Sequence, residues 1–209
     1  IEEPIIKTRM ILSFVLNKTK EFIMSHEEYN LNEEEEKEFF DYIEKLRNNI
    51  PIEYIIHNKE FMKLDFYVNE DVLIPREDTE ILVEEIINRY KNKDVKILDL
   101  CTGSGCIAIS LKKYMANSNV FASDISSNAL KVAKLNAKNN NAEINFVLSD
   151  VFKNIKEREF DIIVSNPPYI KTEVIKTLNK DVQKEPSLAL DGGEDGLYFY
   201  RKIIKEAYG

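Results

Sequence analysis

The sequence predicts an α/β chain in which a small all-helical part and a linking β-hairpin precede a doubly wound parallel sheet. Three observations predict it. Residues 95–165 alternate short β-branched runs with helical stretches, the order expected of βαβ units. Residues 5–42 carry their apolar side chains at helical spacing. Finally, the residue types suited to binding fall at the carboxyl ends of the β-branched runs, where open α/β sheets place their ligands.

The totals set outer limits on function. With 209 residues, 44% hydrophobic and 32% charged, the chain has room for one large or two small domains of ordinary globular type. No apolar run approaches a membrane span. Glu2 and Glu3 stand where a secretory signal would be basic, which with the two reduced thiols leads to an expectation of a cytoplasmic protein. Ile1 is not an initiator methionine, so the chain is expected to be a piece of a longer one. A net charge of −8 argues against stable binding to a phosphate backbone, because that affinity comes from clustered Lys and Arg. Cys101 and Cys106 lie five positions apart with no second pair, which is not metal-site spacing; no metal is expected.

In chain order, residues 1–50 form the helical part. Ile5, Ile6, Met10, Ile11, Phe14 and Val15, then Phe22 and Ile23, mark its first helices. Asn32 is suited to cap a further helix whose first turn holds Glu33 to Glu36, where the macrodipole favours anions, and whose stripe is Phe39, Ile43 and Leu46. Pro51 is expected to close this part. Residues 51–75 read as a hairpin linker, with β-like runs FMKLDFYV and VLI separated by turn chemistry at Asn69-Glu70-Asp71. From residue 76 to 209 comes the sheet domain. Asp78 or Thr79 can cap a helix with Ile81, Leu82, Ile86 and Tyr90 inward. A strand over 95–100 runs into Asp99-Leu100-Cys101-Thr102-Gly103-Ser104-Gly105, a tight turn opening a helix, where glycines permit close backbone approach at a helix N-terminus. The next strand ends at Asp124, whose carboxylate can accept from both hydroxyls of a ribose. Ser126 or Ser127 caps the helix that buries Leu130, Ala133 and Ala137. A third strand ends at Ser149-Asp150, with Asp150 placed either to accept from an exocyclic amine, with Val151 beside its ring, or to cap a helix. The closing helix shows Leu197, Tyr200 and Ile204 on one face.

The fourth strand of this run ends in Asn166-Pro167-Pro168-Tyr169. Two prolines can donate no ladder hydrogen bond, and the first excludes Asn166 from helical geometry, so the strand stops and the chain turns stiffly. The corner offers the Asn166 side-chain oxygen, the Pro167 carbonyl and the flat Tyr169 ring, which together suit a planar NH2 group.

That tetrapeptide resembles the motif of amino-methyltransferases. Joined with IPREDTE, DLCTGSG, EPSLALDGGEDGLYFYRKII, the hairpin EFMKLDFYV and the helical N-terminal part, it resembles the release factor glutamine methyltransferases, the HemK or PrmC family. The resemblance implies a Rossmann-like class I methyltransferase sheet, truncated at its carboxyl end. It implies transfer of a methyl group from S-adenosylmethionine, leaving S-adenosylhomocysteine, to the N5 side-chain amide of the glutamine in the GGQ motif of class I peptide chain release factors. On that resemblance Asp99 and Cys101 to Gly105 bind the cofactor, the loop lying under its methionine part, Asp124 binds ribose, Asp150 and Val151 flank adenine, Asn166 also touches the cofactor, and Asn166, Pro167, Pro168 and Tyr169 hold the substrate amide, with Asn166, Pro167 and Tyr169 as the catalytic residues. Cys101 stands where a strict spelling of the loop has glycine, which is tolerable there at a negative φ. The family continues past this chain's last helix into further strands, so the 209-residue chain is expected to be poorly active by itself. Three other readings stay open on residues alone. An adenine-N6 methyltransferase shares the NPPY corner. A nicotinamide dehydrogenase would share the GxGxxA spelling of residues 103–108 and the acid at Asp124. A non-catalytic module would use the helical part merely to dock a partner.

Overall fold

The computed structural model describes residues 3–207; Ile1, which carries the expectation of a partial chain, and Glu2, which with Glu3 argues against a secretory signal, lie outside the described residues, as do Tyr208 and Gly209. Helices α1 (Pro4–Val15), α2 (Lys20–Ser25) and α3 (Glu33–Arg47) come first. Asn32 caps α3: its Oδ1 accepts from the Glu35 N–H at 2.9 Å while the Glu35 carboxylate accepts from the Asn32 N–H at 2.9 Å. This reciprocal box satisfies two of the donors that a helix start leaves without partners. Pro51, expected to end the helical part, instead sits at the N-cap of α4 (Ile52–Ile56), a position where its missing N–H is no loss. Because α4 buries Ile52 and Ile55 in the same small core as Ile11 and Leu46, helical packing continues to Ile56.

Strands β1 (Lys59–Phe61) and β2 (Leu64–Phe66) pair antiparallel with Phe61 opposite Leu64. The hairpin turn is therefore Met62-Lys63, not the Asn69-Glu70-Asp71 stretch. Both turn residues have positive φ, 50° and 57°, as a two-residue hairpin loop of this twist demands, although neither is the Asn or Gly that adopts it cheaply. The turn is held from outside: the Glu80 carboxylate accepts from the Met62 N–H at 2.6 Å and the Tyr114 hydroxyl donates to the Met62 carbonyl at 2.7 Å. Residues 69–72 form a local turn, with the Asp71 N–H on Asn69 Oδ1 at 3.2 Å, and Val72 and Ile74 are buried as loop residues.

Helix α5 (Asp78–Tyr90) buries Thr79, Val83 and Ile86 and has no side-chain cap, whereas Ile81 is 67% exposed. The inward face is thus displaced from the expected Ile81–Leu82 stripe. Next come β3 (Lys96–Leu100), α6 (Cys106–Tyr114), β4 (Asn119–Asp124), α7 (Ser127–Asn139), β5 (Asn145–Leu148) and β6 (Ile162–Ser165). The four strands form one parallel sheet in the order β5-β4-β3-β6, as the doubly wound reading requires, so strand order reverses beside β3. Short helices α8 (Thr172–Ile175) and α9 (Ser187–Leu190) lead to α10 (Tyr198–Glu206). Two apolar stripes compete on α10. Phe199 and Ile203 take the core against Leu98, Leu100, Val151 and Ile155, leaving the expected Leu197, Tyr200 and Ile204 face exposed.

One buried amide joins linker, helix and loop. Asn136 on α7 is 0% exposed; its Oδ1 accepts from the Tyr67 N–H at 2.7 Å, and its Nδ2 donates to the Tyr67 and Ser104 carbonyls, both at 2.9 Å. Replacing it by leucine, of similar volume, strands three backbone groups. Asn136→Leu is expected to destabilise the chain by about 2–4 kcal/mol, read as a lower urea midpoint at unchanged slope; a loss below about 1 kcal/mol would show that the bracket carries little.

Candidate active site

Strand register sets the level of the site. Leu100 on β3 lies opposite Ser123 on β4 and opposite Ser165 on β6, and Asp124 lies opposite Leu148 on β5. The next residues, Cys101, Asp124, Asn166 and the Ser149-Asp150 pair, therefore leave the sheet along one rim. Of the residues expected to bind, Cys101, Thr102, Gly103, Ser104, Asp124, Asp150, Val151, Asn166 and Pro168 line one cavity there. Tyr169 is 54% exposed and lines an adjoining cavity with Arg76, Thr79 and Asn166. Asn166 and Thr79, with Pro75 and Arg76, line both cavities, and the Asn166–Thr79 hydrogen bond lies in the wall between them.

Asp99, Gly105 and Pro167 do not line the cleft. Asp99 is 0% exposed beneath the glycine turn. Its Oδ2 accepts from the Thr102 hydroxyl at 2.6 Å and from the Ala108 N–H at 3.3 Å, so it holds the turn from below. Gly105 is the N-cap of α6 at φ 82°, and a Cβ there would stand 3.1 Å from the Ala133 methyl; no residue with a side chain fits between the turn and α7. Cys101 has φ 59°, not the negative φ on which its tolerance was premised, and for a non-glycine residue this conformation costs about 1–2 kcal/mol. Burial pushes the Cys101 thiol up to about 12, with the Asp124 and Asp99 charges adding to the shift, and burial does the same for Cys106. Both are therefore held as thiols at neutral pH rather than as the nucleophilic thiolate, and among the described residues no group of three or more His, Cys, Asp or Glu could hold a metal ion.

Asp124 is pinned from two sides. Its Oδ2 accepts from the Gly103 N–H and its Oδ1 from the Ser126 N–H, both at 2.9 Å. Each oxygen keeps a lone pair for the cleft. Burial raises this carboxyl above the usual range while the two N–H bonds oppose the shift. Asp150 caps no α-helix; its Oδ1 accepts from Lys202 Nζ on α10 at 2.6 Å, which leaves Oδ2 free of that ion pair. Val151 follows at φ 51°, an outlier for a β-branched residue, and its buried side chain floors the cleft.

The Asn166 corner is braced from behind. The Ile170 N–H donates to the Leu190 carbonyl at 3.0 Å and the Gly192 N–H returns to the Ile170 carbonyl at 2.8 Å. A Cβ on Gly192 would sit 2.7 Å from the Tyr169 Cα, so the Gly-Gly turn read from the sequence serves to let this loop lie against the proline corner. On the other side, Nδ2 of Asn166 donates to Thr79 Oγ1 at 3.1 Å. Glu185 is buried between two segments distant in sequence: its Oε2 accepts from the Ile74 N–H at 3.0 Å and its Oε1 takes the Arg76 guanidinium. Burial raises the Glu185 carboxyl and Arg76 opposes it.

Sequence reasoning missed Thr79 as a wall residue, the Arg76–Glu185 pair, and the apolar lining of Val72, Ile125, Leu188 and Phe199. Nothing local pairs Arg76 with an acid 109 positions on. The residues present fit S-adenosylmethionine. A Cβ at Gly103 would meet nothing within 4 Å, so the turn faces open space at the start of α6; a doubly held carboxylate stands beside it for a diol, and apolar side chains flank Asp150 for a base.

Comparison with known proteins shows the family and the fold. The family model of the methyltransferase small domain matches residues 77–192, and that of the PrmC N-terminal domain matches residues 1–56. The chain is similar to the release factor glutamine methyltransferase of Clostridium acetobutylicum, 45% identical over 94% of this chain and 71% of that one. It is similar also to that of Borreliella burgdorferi, 44% identical over 97% and 71%. Among solved structures, a methyltransferase from Pyrococcus furiosus superposes with TM-score 0.52 at 20% identity over 81% of this chain and 72% of that one, which supports the fold. Among the described residues no helix is long and apolar enough to cross a membrane.

Burial pushes the Asp99 carboxyl up to about 7 from 3.8, with its Thr102 and Ala108 hydrogen bonds opposing, and Oδ1 is buried without a partner. The folded chain holds this proton more tightly than the unfolded chain. Its stabilising contribution is therefore complete below the unfolded value and is lost as pH rises through about 7. Asp99→Asn, which keeps the acceptor and mimics the neutral acid, is expected to flatten the decline of the melting temperature over that window. Asp124 and Glu185, shifted in the same direction, retain their share, so an unaltered slope in the variant would remove Asp99 as its source.

Proposed function

This chain belongs to the release factor glutamine methyltransferase family, and from that premise we propose that it methylates the side-chain amide nitrogen (N5) of the glutamine in the GGQ motif of class I peptide chain release factors. The observation that carries the reading is the shared wall: Asn166 borders the cleft that fits the cofactor and the adjoining cavity that holds Tyr169. An amide entering through the outer cavity meets its acceptor at the edge of the donor site. The reading puts the chain in the cytoplasm, with the release factor as a protein partner and no stable nucleic-acid complex, in keeping with a net charge of −8.

S-adenosylmethionine supplies an electrophilic methyl group on a sulfonium. The backbone of residues 101–105 holds its methionine part, Asp124 the ribose hydroxyls, and Asp150 Oδ2 with Val151 and Ile125 the adenine. An amide nitrogen is a poor nucleophile because its lone pair is delocalised into the carbonyl. Asn166 Oδ1 accepts one of its N–H bonds, which orients the nitrogen and stabilises the positive charge it gains; the backbone carbonyl of Pro167, a buried residue that lines neither cavity, is the proposed acceptor for the second. Pro168 stiffens the corner and Tyr169 packs on the amide plane. Once alkylated, the nitrogen is acidic enough to release its proton to water, so no strong base is needed at the site. His26, stacked on Phe22, and His57, stacked on Tyr67, have packing roles.

Incubation of the full-length protein with labelled S-adenosylmethionine and either a release factor or DNA tests the reading: label in the release factor glutamine supports it, and label in DNA alone overturns it in favour of the adenine enzyme. Asn166→Ala is expected to lower kcat on the order of 100-fold while cofactor affinity stays near wild type. A variant with full turnover would remove Asn166 from the chemistry.

A further inference from the structure

A side-chain amide has two flips of nearly identical shape, and only one of them serves an incoming NH2 group. With Oδ1 toward the outer cavity Asn166 offers an acceptor; with Nδ2 there it sets donor against donor. The useful flip requires an acceptor for Nδ2 on the opposite side, and Thr79 Oγ1 stands there at 3.1 Å. We infer that Thr79 is a positioning residue for methyl transfer, its hydroxyl holding the Asn166 amide in the flip that presents Oδ1 to the substrate nitrogen. The inference deepens the function proposed above and rests on its premise that the methyl acceptor is an amide.

Thr79 is placed to hold a direction. It is 9% exposed in the first turn of α5, its N–H bonded to the Arg76 carbonyl at 3.0 Å, and α5 is fixed below it by buried Val83 and Ile86. Arg76 in turn is tied to buried Glu185, which also receives the Ile74 N–H. Thr79 thus reaches Asn166 from a helix start anchored at both ends, and the two side chains together make the partition between the cofactor cleft and the outer cavity. A hydroxyl can accept from Nδ2 or donate to Oδ1; here it accepts from Nδ2 at 3.1 Å, the arrangement that leaves Oδ1 for the substrate. A valine has the same shape and can accept nothing. In Thr79→Val, Nδ2 would face a methyl group, a loss that favours turning Nδ2 outward to the cavities, where it finds partners but opposes the substrate N–H bonds.

The test separates positioning from support of the fold. Thr79→Val is expected to lower kcat about tenfold, with cofactor affinity and melting temperature unchanged, and Thr79→Ser to restore it. In an Asn166→Ala background Thr79→Val should cost nothing further, since there is no amide left to orient. Independently of turnover, NMR of the isotope-labelled chain should show the Asn166 side-chain NH2, assigned by its disappearance in Asn166→Asp, protected from solvent exchange in the wild type and in Thr79→Ser but not in Thr79→Val. Wild-type kcat in Thr79→Val, additive losses in the double variant, or amide exchange unmoved by the valine would each overturn the inference. A full-length wild-type protein that leaves the release factor unmethylated would sink the substrate reading instead, and the exchange measurement would still decide whether Thr79 holds the amide.

Discussion

Everything at the site depends on the register in which β3 pairs with its two neighbours. Leu100 faces Ser123 on one side and Ser165 on the other, and that alignment is enforced by burial, because Ile97, Leu98 and Leu100 are fully enclosed on the faces of the sheet. A slip of one residue would turn each of them to the opposite face. The same slip would raise or lower Asp124 and Asn166 relative to the glycine turn. Apolar packing in the middle of the sheet thus sets the heights of polar groups at its end, and no side chain at the rim has to fix them.

The rim itself is strained and polar, which the sheet must support. Cys101 and Val151 both lie at positive φ, Asp99 keeps one buried oxygen without a partner, and burial lifts the carboxyls of Asp99, Asp124 and Glu185. Such features cluster where a site is held ready in advance, because relaxing them would move the groups that bind. Apart from Glu185, which lies on the facing loop, these groups sit at the carboxyl ends of three strands. The fully buried core beneath them is what makes that affordable.

How much of this was legible in the sequence follows the range of each interaction. Asn32 and Ser126 announce their caps because the acceptor and the N–H it serves lie three residues apart. The alternation of strands and helices, and with it the shared rim, is likewise a local pattern. The Met62-Lys63 turn was not legible: neither residue favours positive φ, and what fixes it comes from Glu80 and Tyr114. The inward faces of α5 and α10 were misread for a related reason, since both helices carry more apolar residues than one stripe needs and only the sheet selects among them. Asp99 looked like a ligand by its place in the loop. It is a strut, because its carboxylate is spent on Thr102 and Ala108 from below.

The segment between the hairpin and α5 gives the site a second source. Tyr54 on α4 donates to the Val72 carbonyl at 2.6 Å, Asn136 grips Tyr67, and Ile74 and Arg76 converge on Glu185. Residues 72, 73, 75 and 76 then line the cleft directly, and three residues later Thr79 closes the partition with Asn166. The cleft therefore has one wall made by strand ends and another made by the chain that leaves the helical part. The sheet alone would supply the glycine turn, the paired acids and the proline corner, but not the surface that faces them. The strand-end wall and the wall that faces it are in this sense built by different stretches of sequence, joined where Asn166 Nδ2 donates to Thr79 Oγ1 and where Ile74 and Arg76 reach Glu185.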